Sequence, residues 1–157
     1  MIKVMINDNQ IIEAKRKAEE MGLIRNSITS GEGNLIGFLG EIIVAEYFGG
    51  IIQNTYDYDI IINNKKIDVK TKKTTVIPEP NYLASVAAYN TKQKCDSYYF
   101  VRIDLDKKVG YLLGGLSKKS FFEKAVFYKE GDLDPSSTFG WRFKADCYNV
   151  KFYELKK

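Results

Sequence analysis

The stretch YDYDIIINNKKIDVKTKK, Tyr56 to Lys73, decides how this chain folds. Two runs, Tyr58 to Ile62 and Lys66 to Thr71, flank Asn63-Asn64 and read as strands. Asparagine tolerates the left-handed backbone that a two-residue hairpin turn demands, so a tight hairpin is expected. In that register Ile62 pairs with Lys65, Asp59 falls opposite Asp68, and Asp57 falls opposite Lys70. Strand side chains alternate between faces, which puts Asp57, Asp59, Asp68 and Lys70 on one face and Tyr58, Ile60, Ile67 and Val69 on the other. The second set is the apolar surface that a sheet buries against a helix.

Aspartate is depleted in strands, and like charges directly opposite each other cost about 0.2–1 kcal/mol. The acidic pair therefore needs compensation. A hard divalent cation supplies it: Mg²⁺ takes oxygen ligands, keeps several waters, and is commonly held by one or two carboxylates plus a substrate phosphate. Mg²⁺ is the expected cofactor, with Mn²⁺ as a substitute. Such an ion polarises a phosphoryl oxygen and acidifies a bound water, while Lys70 would orient the nucleophile or neutralise developing charge. That is the chemistry of phosphodiester hydrolysis.

Working upstream, Asn34 to Phe48 has a helical pattern with apolar residues around most of its circumference, so the helix must be largely buried. Gly37, Gly40, Glu41 and Val44 share one strip of it, leaving a notch without side chains beside a carboxylate. A carboxylate in an apolar helix is costly unless it meets a cation or a donor, so Glu41 joins the same site if the helix packs beside the hairpin. The plainer alternatives are a helix-surface role for Glu41 and a solvent-exposed face of alternating charge for Asp68 and Lys70.

Together GFLGE ending at Glu41, YDYDI carrying Asp59, and KIDVKTKK carrying Asp68 and Lys70 resemble the PD-(D/E)xK nuclease superfamily, over about a third of the chain. The resemblance implies a restriction-endonuclease-like αβββαβ core of the α/β class, a mixed central sheet flanked by helices. It also implies metal binding by Glu41, Asp59 and Asp68, and a catalytic Lys70. Tyr58 stands where the superfamily's proline would precede the aspartate, and Asp57 is the alternative to Asp59. The implied activity is Mg²⁺-dependent hydrolysis of DNA, on a branched or junction substrate if the likeness extends to Holliday junction resolvases, whose members also imply a homodimer. The alternative is a nucleic-acid-binding module that keeps the scaffold without catalysis.

Lys65, Lys66, Lys72 and Lys73 surround the hairpin and, with Lys92 and Lys94, are the expected contacts to DNA phosphates. The six tyrosines at 82, 89, 98, 99, 111 and 128 are read as core and rim packing.

The rest of the chain alternates helix and strand. A helix over 9–21 has Asn7 or Asp8 as cap and Gly22 as stop. SITSGEGN is a connector whose lone GxG lacks the GK[ST] of a phosphate loop. Ile51 to Gln53 starts a β-meander after Gly49-Gly50. Strands are expected over 82–87, 97–104 and 109–115, a short helix over 90–95, and a helix over 118–125 capped by Ser117. The loop GDLDPSSTFG is irregular, and 141–143 and 146–155 return as strands.

With 157 residues, 45% of them hydrophobic, and a net charge of +4, the chain reads as one globular domain over 1–157. It has no histidine, which removes Ser-His-Asp and Cys-His nucleophile systems and His-ligated zinc. Cys95 and Cys147 form no CxxC pair and are expected as reduced thiols. No signal-peptide pattern is visible at the N-terminus, and 35–48 is too short to cross roughly 30 Å of hydrocarbon. A cytoplasmic location without membrane insertion is therefore expected. The abundance of Ile, Lys, Asn and Tyr fits an AT-rich phage, virus or mobile element, in which case the cytoplasm is the host's.

Overall fold

A computed structural model describes residues 1–22 and 32–157. Most of SITSGEGN lies outside the described residues. The chain is mixed α/β, and its elements are best followed from the hairpin outward.

Strands β3 (Ile60–Ile62) and β4 (Lys65–Lys73) pair antiparallel with Ile60 opposite Ile67 and Ile62 opposite Lys65, the register expected of a two-residue turn. Asn63 and Asn64 take φ of 49° and 61°, the left-handed conformation that this turn requires. β2 (Ile51–Ile52) completes the meander on the outer edge of β3. On its other side β4 runs parallel to β6 (Ser97–Asp104), which pairs antiparallel with β7 (Val109–Ser117), and β1 (Ile2–Met5) closes the edge on β7. The resulting sheet has the order β1-β7-β6-β4-β3-β2. β1 was not visible in the sequence pattern, because four residues with two apolar side chains carry little periodic signal.

One face of this sheet packs on α2 (Glu32–Phe48), which is backed by α1 (Asp8–Gly22). Asn7 and Gln10 cap α1 reciprocally: the Gln10 N–H donates to Asn7 Oδ1 at 2.9 Å and the Asn7 N–H donates to Gln10 Oε1 at 2.8 Å. Helix α2 ends where Gly49 adopts φ of 68° and the Gly50 N–H returns to the Ala45 carbonyl at 2.7 Å. Ile60, Ile67 and Val69 lie in this core with Leu39, Ile43 and Val44, as the alternation predicts. Tyr58 does not. It precedes β3 instead of belonging to it, and packs with the second core while Lys66 lies over its ring.

The second core joins the other face of the sheet to α3 (Lys118–Lys124) and to a smaller sheet of order β5-β9-β8, made of β5 (Leu83–Ala87), β8 (Val126–Tyr128) and β9 (Cys147–Lys151). Ser117 caps α3 as expected, its side chain accepting from the Ser120 N–H. Three expectations are corrected here. The short helix over 90–95 is a 3-10 turn at Ala88–Asn90, residues 141–143 contribute only the single bridge of Leu133 with Arg142, and β9 gives way to a 3-10 turn at Phe152–Glu154. The connection from β4 to β6 carries β5 and that first turn where the αβββαβ pattern has an α-helix. Among the described residues no helix is long and apolar enough to cross a membrane.

Candidate active site

The site forms where β3 stops and β4 continues. β3 begins only at Ile60, so beyond Ile67 one edge of β4 has no strand beside it. Asp59 fills the gap. Its N–H donates to the Ile67 carbonyl at 3.0 Å, and its Oδ2 accepts the Val69 N–H at 2.7 Å. A side chain thus replaces the missing strand in the hydrogen-bond ladder, which places the carboxylate at the strand edge and leaves little freedom to turn away.

The segment before Asp59 is wound into a compact turn. The N–H groups of Gln53 and Asn54 donate to the Asp59 carbonyl at 2.8 and 3.1 Å, and the Thr55 hydroxyl bonds the Tyr58 carbonyl at 2.8 Å. Asn54 sits at φ of 48°, a backbone state that asparagine tolerates. Its amide nitrogen donates to Glu41 Oε2 while its Oδ1 accepts from Lys17 Nζ at 2.9 Å.

Glu41 comes from α2 and is 8% exposed. At Gly40 beside it the helix lies close against β4, since a Cβ there would fall 1.9 Å from Thr71 Oγ1. Gly37, one turn earlier, faces open space. The notch expected in this helix is therefore divided: Thr71 fills one half, and the other opens into a cleft of about 170 Å³ lined by Gly37, Phe38, Glu41, Asn54, Thr55 and Asp59.

Asp68 and Lys70 project from the β4 face opposite Ile67 and Val69. Asp68 is 3% exposed, with Lys70 Nζ 2.7 Å from its Oδ2. Gln93 accepts from Lys70 at 3.4 Å and donates to the Tyr56 carbonyl at 2.7 Å, linking the loop before β6 to the turn before β3. Asp57 leaves the group. It lies outside β3, so the pairing that would have set it opposite Lys70 never extends that far, and its carboxylate accepts the Lys94 N–H at 2.9 Å.

Glu41, Asp59, Asp68 and Lys70 act on one another electrostatically. Burial, then the charges of Glu41 and Asp68 and a hydrogen bond with Asp68, push Asp59 up to about 8. Burial pushes Glu41 up to about 7, with Asp68 adding to the rise, while Asn54, Lys17 and Lys70 oppose it. Two carboxyls held up in this way share a desolvated recess that disfavours their charges, the condition a hard cation relieves. The donor chemistry, all carboxylate oxygen, fits Mg²⁺ or Mn²⁺. As they stand the acids are engaged by Lys70, Asn54 and the Val69 amide, and among the described residues no three His, Cys, Asp or Glu side chains are gathered around a metal position.

The expected phosphate contacts do not form one patch. Lys65 and Lys66 stand at the start of β4 and Lys72 and Lys73 at its end, roughly 20 Å apart at a strand rise of about 3.3 Å per residue. Lys65 also borders a separate cleft shared with Lys156 and Lys157. Sequence reasoning missed Lys17, Asn54 and Gln93. The lone signal was an asparagine just after a short strand, and nothing local pairs residues 37 positions apart.

No protein-family model and no curated protein matches this chain.

Proposed function

We propose that this chain is a Mg²⁺-dependent DNA endonuclease with a restriction-endonuclease-like core and a PD-(D/E)xK site. The observation that carries the reading is the placement of Asp59 at the open edge of β4, where it lines one cleft with Glu41 of α2 and interacts electrostatically with Asp68, itself paired with Lys70. Glu41, Asp59 and Asp68 would hold the metal. When bound, Mg²⁺ supplies Lewis acidity at the phosphoryl oxygen and acidifies a water. Lys70 stands beside Asp68 with Nζ able to stabilise the attacking oxygen or the charge growing on phosphate. The water oxygen bonds to phosphorus as the P–O3′ bond breaks, leaving a 5′-phosphate, and the departing 3′-oxygen takes a proton.

Cleavage of branched, linear and single-stranded DNA in Mg²⁺, Mn²⁺ or EDTA tests this. Wild-type cleavage that disappears in EDTA, in Asp68→Asn and in Lys70→Met, with DNA binding retained, is the expected result. A homodimer and a cytoplasmic setting belong to the same proposal.

A second reading is a binding module without catalysis. It is favoured by the internal ion pair of Lys70 with Asp68 and by Asn54 on Glu41, which engage two acids without metal. It predicts DNA binding with no cleavage on any of these substrates.

A further inference from the structure

Lys72 of β4 and Arg102 of β6 are direct partners in the parallel pair, so two cations stand side by side on adjacent strands. Like charges in that relation destabilise a sheet, the same argument that singles out the acids further along β4. Neither cation has a carboxylate within ion-pair distance among the described residues. Lys72 Nζ donates to Ser85 Oγ at 3.0 Å, and Arg102 donates to the Leu83 carbonyl at 2.9 Å with its guanidinium 5.1 Å from the Phe152 ring centre. Asp134 attracts both at longer range, but its Oδ1 is held by the Ser136 N–H at 2.8 Å and the Ser136 hydroxyl at 2.6 Å.

The pair has the character of an anion site. Ser85 and the Leu83 carbonyl, both on β5, hold the two cationic heads in the seam between the sheets, with most of the Arg102 donors unspent. Lys72 is exposed by area, while the protein packed around it lowers its ammonium to about 8. Alternation along β4 puts Lys72 on the face of Asp68 and Lys70, about 13 Å beyond Asp68 at a strand rise of about 3.3 Å per residue.

We infer that Lys72 and Arg102 together bind a backbone phosphodiester of the DNA away from the scissile bond, with Ser85 fixing the lysine. This rests on the nuclease reading above for the identity of the ligand. Arg102 then serves as the forked donor and Lys72 as the point charge, so the contact is independent of base sequence.

The test measures binding of the full chain to duplex and single-stranded DNA by fluorescence anisotropy in EDTA over a series of salt concentrations. Lys72→Gln and Arg102→Gln are compared with Lys119→Gln on α3, and folding is checked by circular dichroism. Each of the first two should weaken binding several-fold and lower the slope of log affinity against log salt by about 1, while Lys119→Gln leaves the slope unchanged. Arg102→Lys should keep the slope and lose part of the affinity, which separates charge from packing on Phe152. If wild type binds and cleaves DNA but the Lys72 and Arg102 variants keep its slope, this inference falls and the nuclease reading stands. If wild type binds no DNA, both fall.

Discussion

The Asp59 carboxylate accepts the Val69 amide at 2.7 Å, so that one side chain stands in for the strand partner which β4 lacks beyond Ile67. A carboxyl held by the ladder of its neighbouring strand is positioned by the backbone, and it is desolvated for the same reason. The raised affinity of Asp59 for protons is the cost of that placement.

Stability in the absence of divalent metal should therefore fall with rising pH. For a carboxyl whose folded pKa lies above its unfolded value, the stabilising contribution is full below the unfolded value and is lost as pH climbs through the folded one. For Asp59 and Glu41 that window runs from about 4 to about 8. Melting in EDTA should show a lower transition at pH 8 than at pH 5. Asp59→Asn, which keeps an acceptor for Val69, should raise the pH 8 transition by an amount on the order of 1–3 kcal/mol and flatten the profile.

Mg²⁺ should reverse the loss. A ligand that binds only the folded state contributes about 2.7 kcal/mol at a hundred times its dissociation constant. Thermal melts at pH 8 with and without Mg²⁺ should differ for wild type and coincide for Asp59→Asn and Asp68→Asn. A shift of equal size in all three proteins would place the ion elsewhere.

The two glycines of α2 should respond in opposite senses. Gly40→Ala drives a methyl into Thr71 and should destabilise by about 1–3 kcal/mol. Gly37→Ala meets nothing within 4 Å and should gain about 0.5–1 kcal/mol from helix propensity, while narrowing the cleft beside Glu41. Urea unfolding of each variant reads the sign directly.

Asn54→Gly preserves the left-handed backbone and removes the amide from Glu41. A buried carboxyl left without its donor should cost about 1–3 kcal/mol at pH 8 and less at pH 5, where Glu41 is protonated. Equal losses at both pH values would show that the loop, and not the hydrogen bond, had been weakened.

The amino-acid sequence by itself determined the hairpin and much of what hangs from it. Asn63-Asn64 tolerates the left-handed conformation of a two-residue turn, the register follows from that turn, and period-two alternation then sends Ile67 and Val69 inward and Asp68 and Lys70 to the opposite face. The near-continuous apolar surface of 34–48 likewise required a buried helix, in which a charged Glu41 is costly without a partner. These are local constraints, set by backbone sterics and side-chain periodicity.

The tertiary structure alone decided which aspartate joins the site, because that choice turns on where β3 begins: Asp59 caps the open edge of β4 while Asp57 is drawn off by the Lys94 amide. It also decided the roles of Lys17, Asn54 and Gln93, the edge strand β1, the second sheet, and the pairing of Lys72 with Arg102. Each depends on a hydrogen bond or a strand alignment between segments far apart in the chain, fixed by packing around the two cores and not by any neighbouring residue.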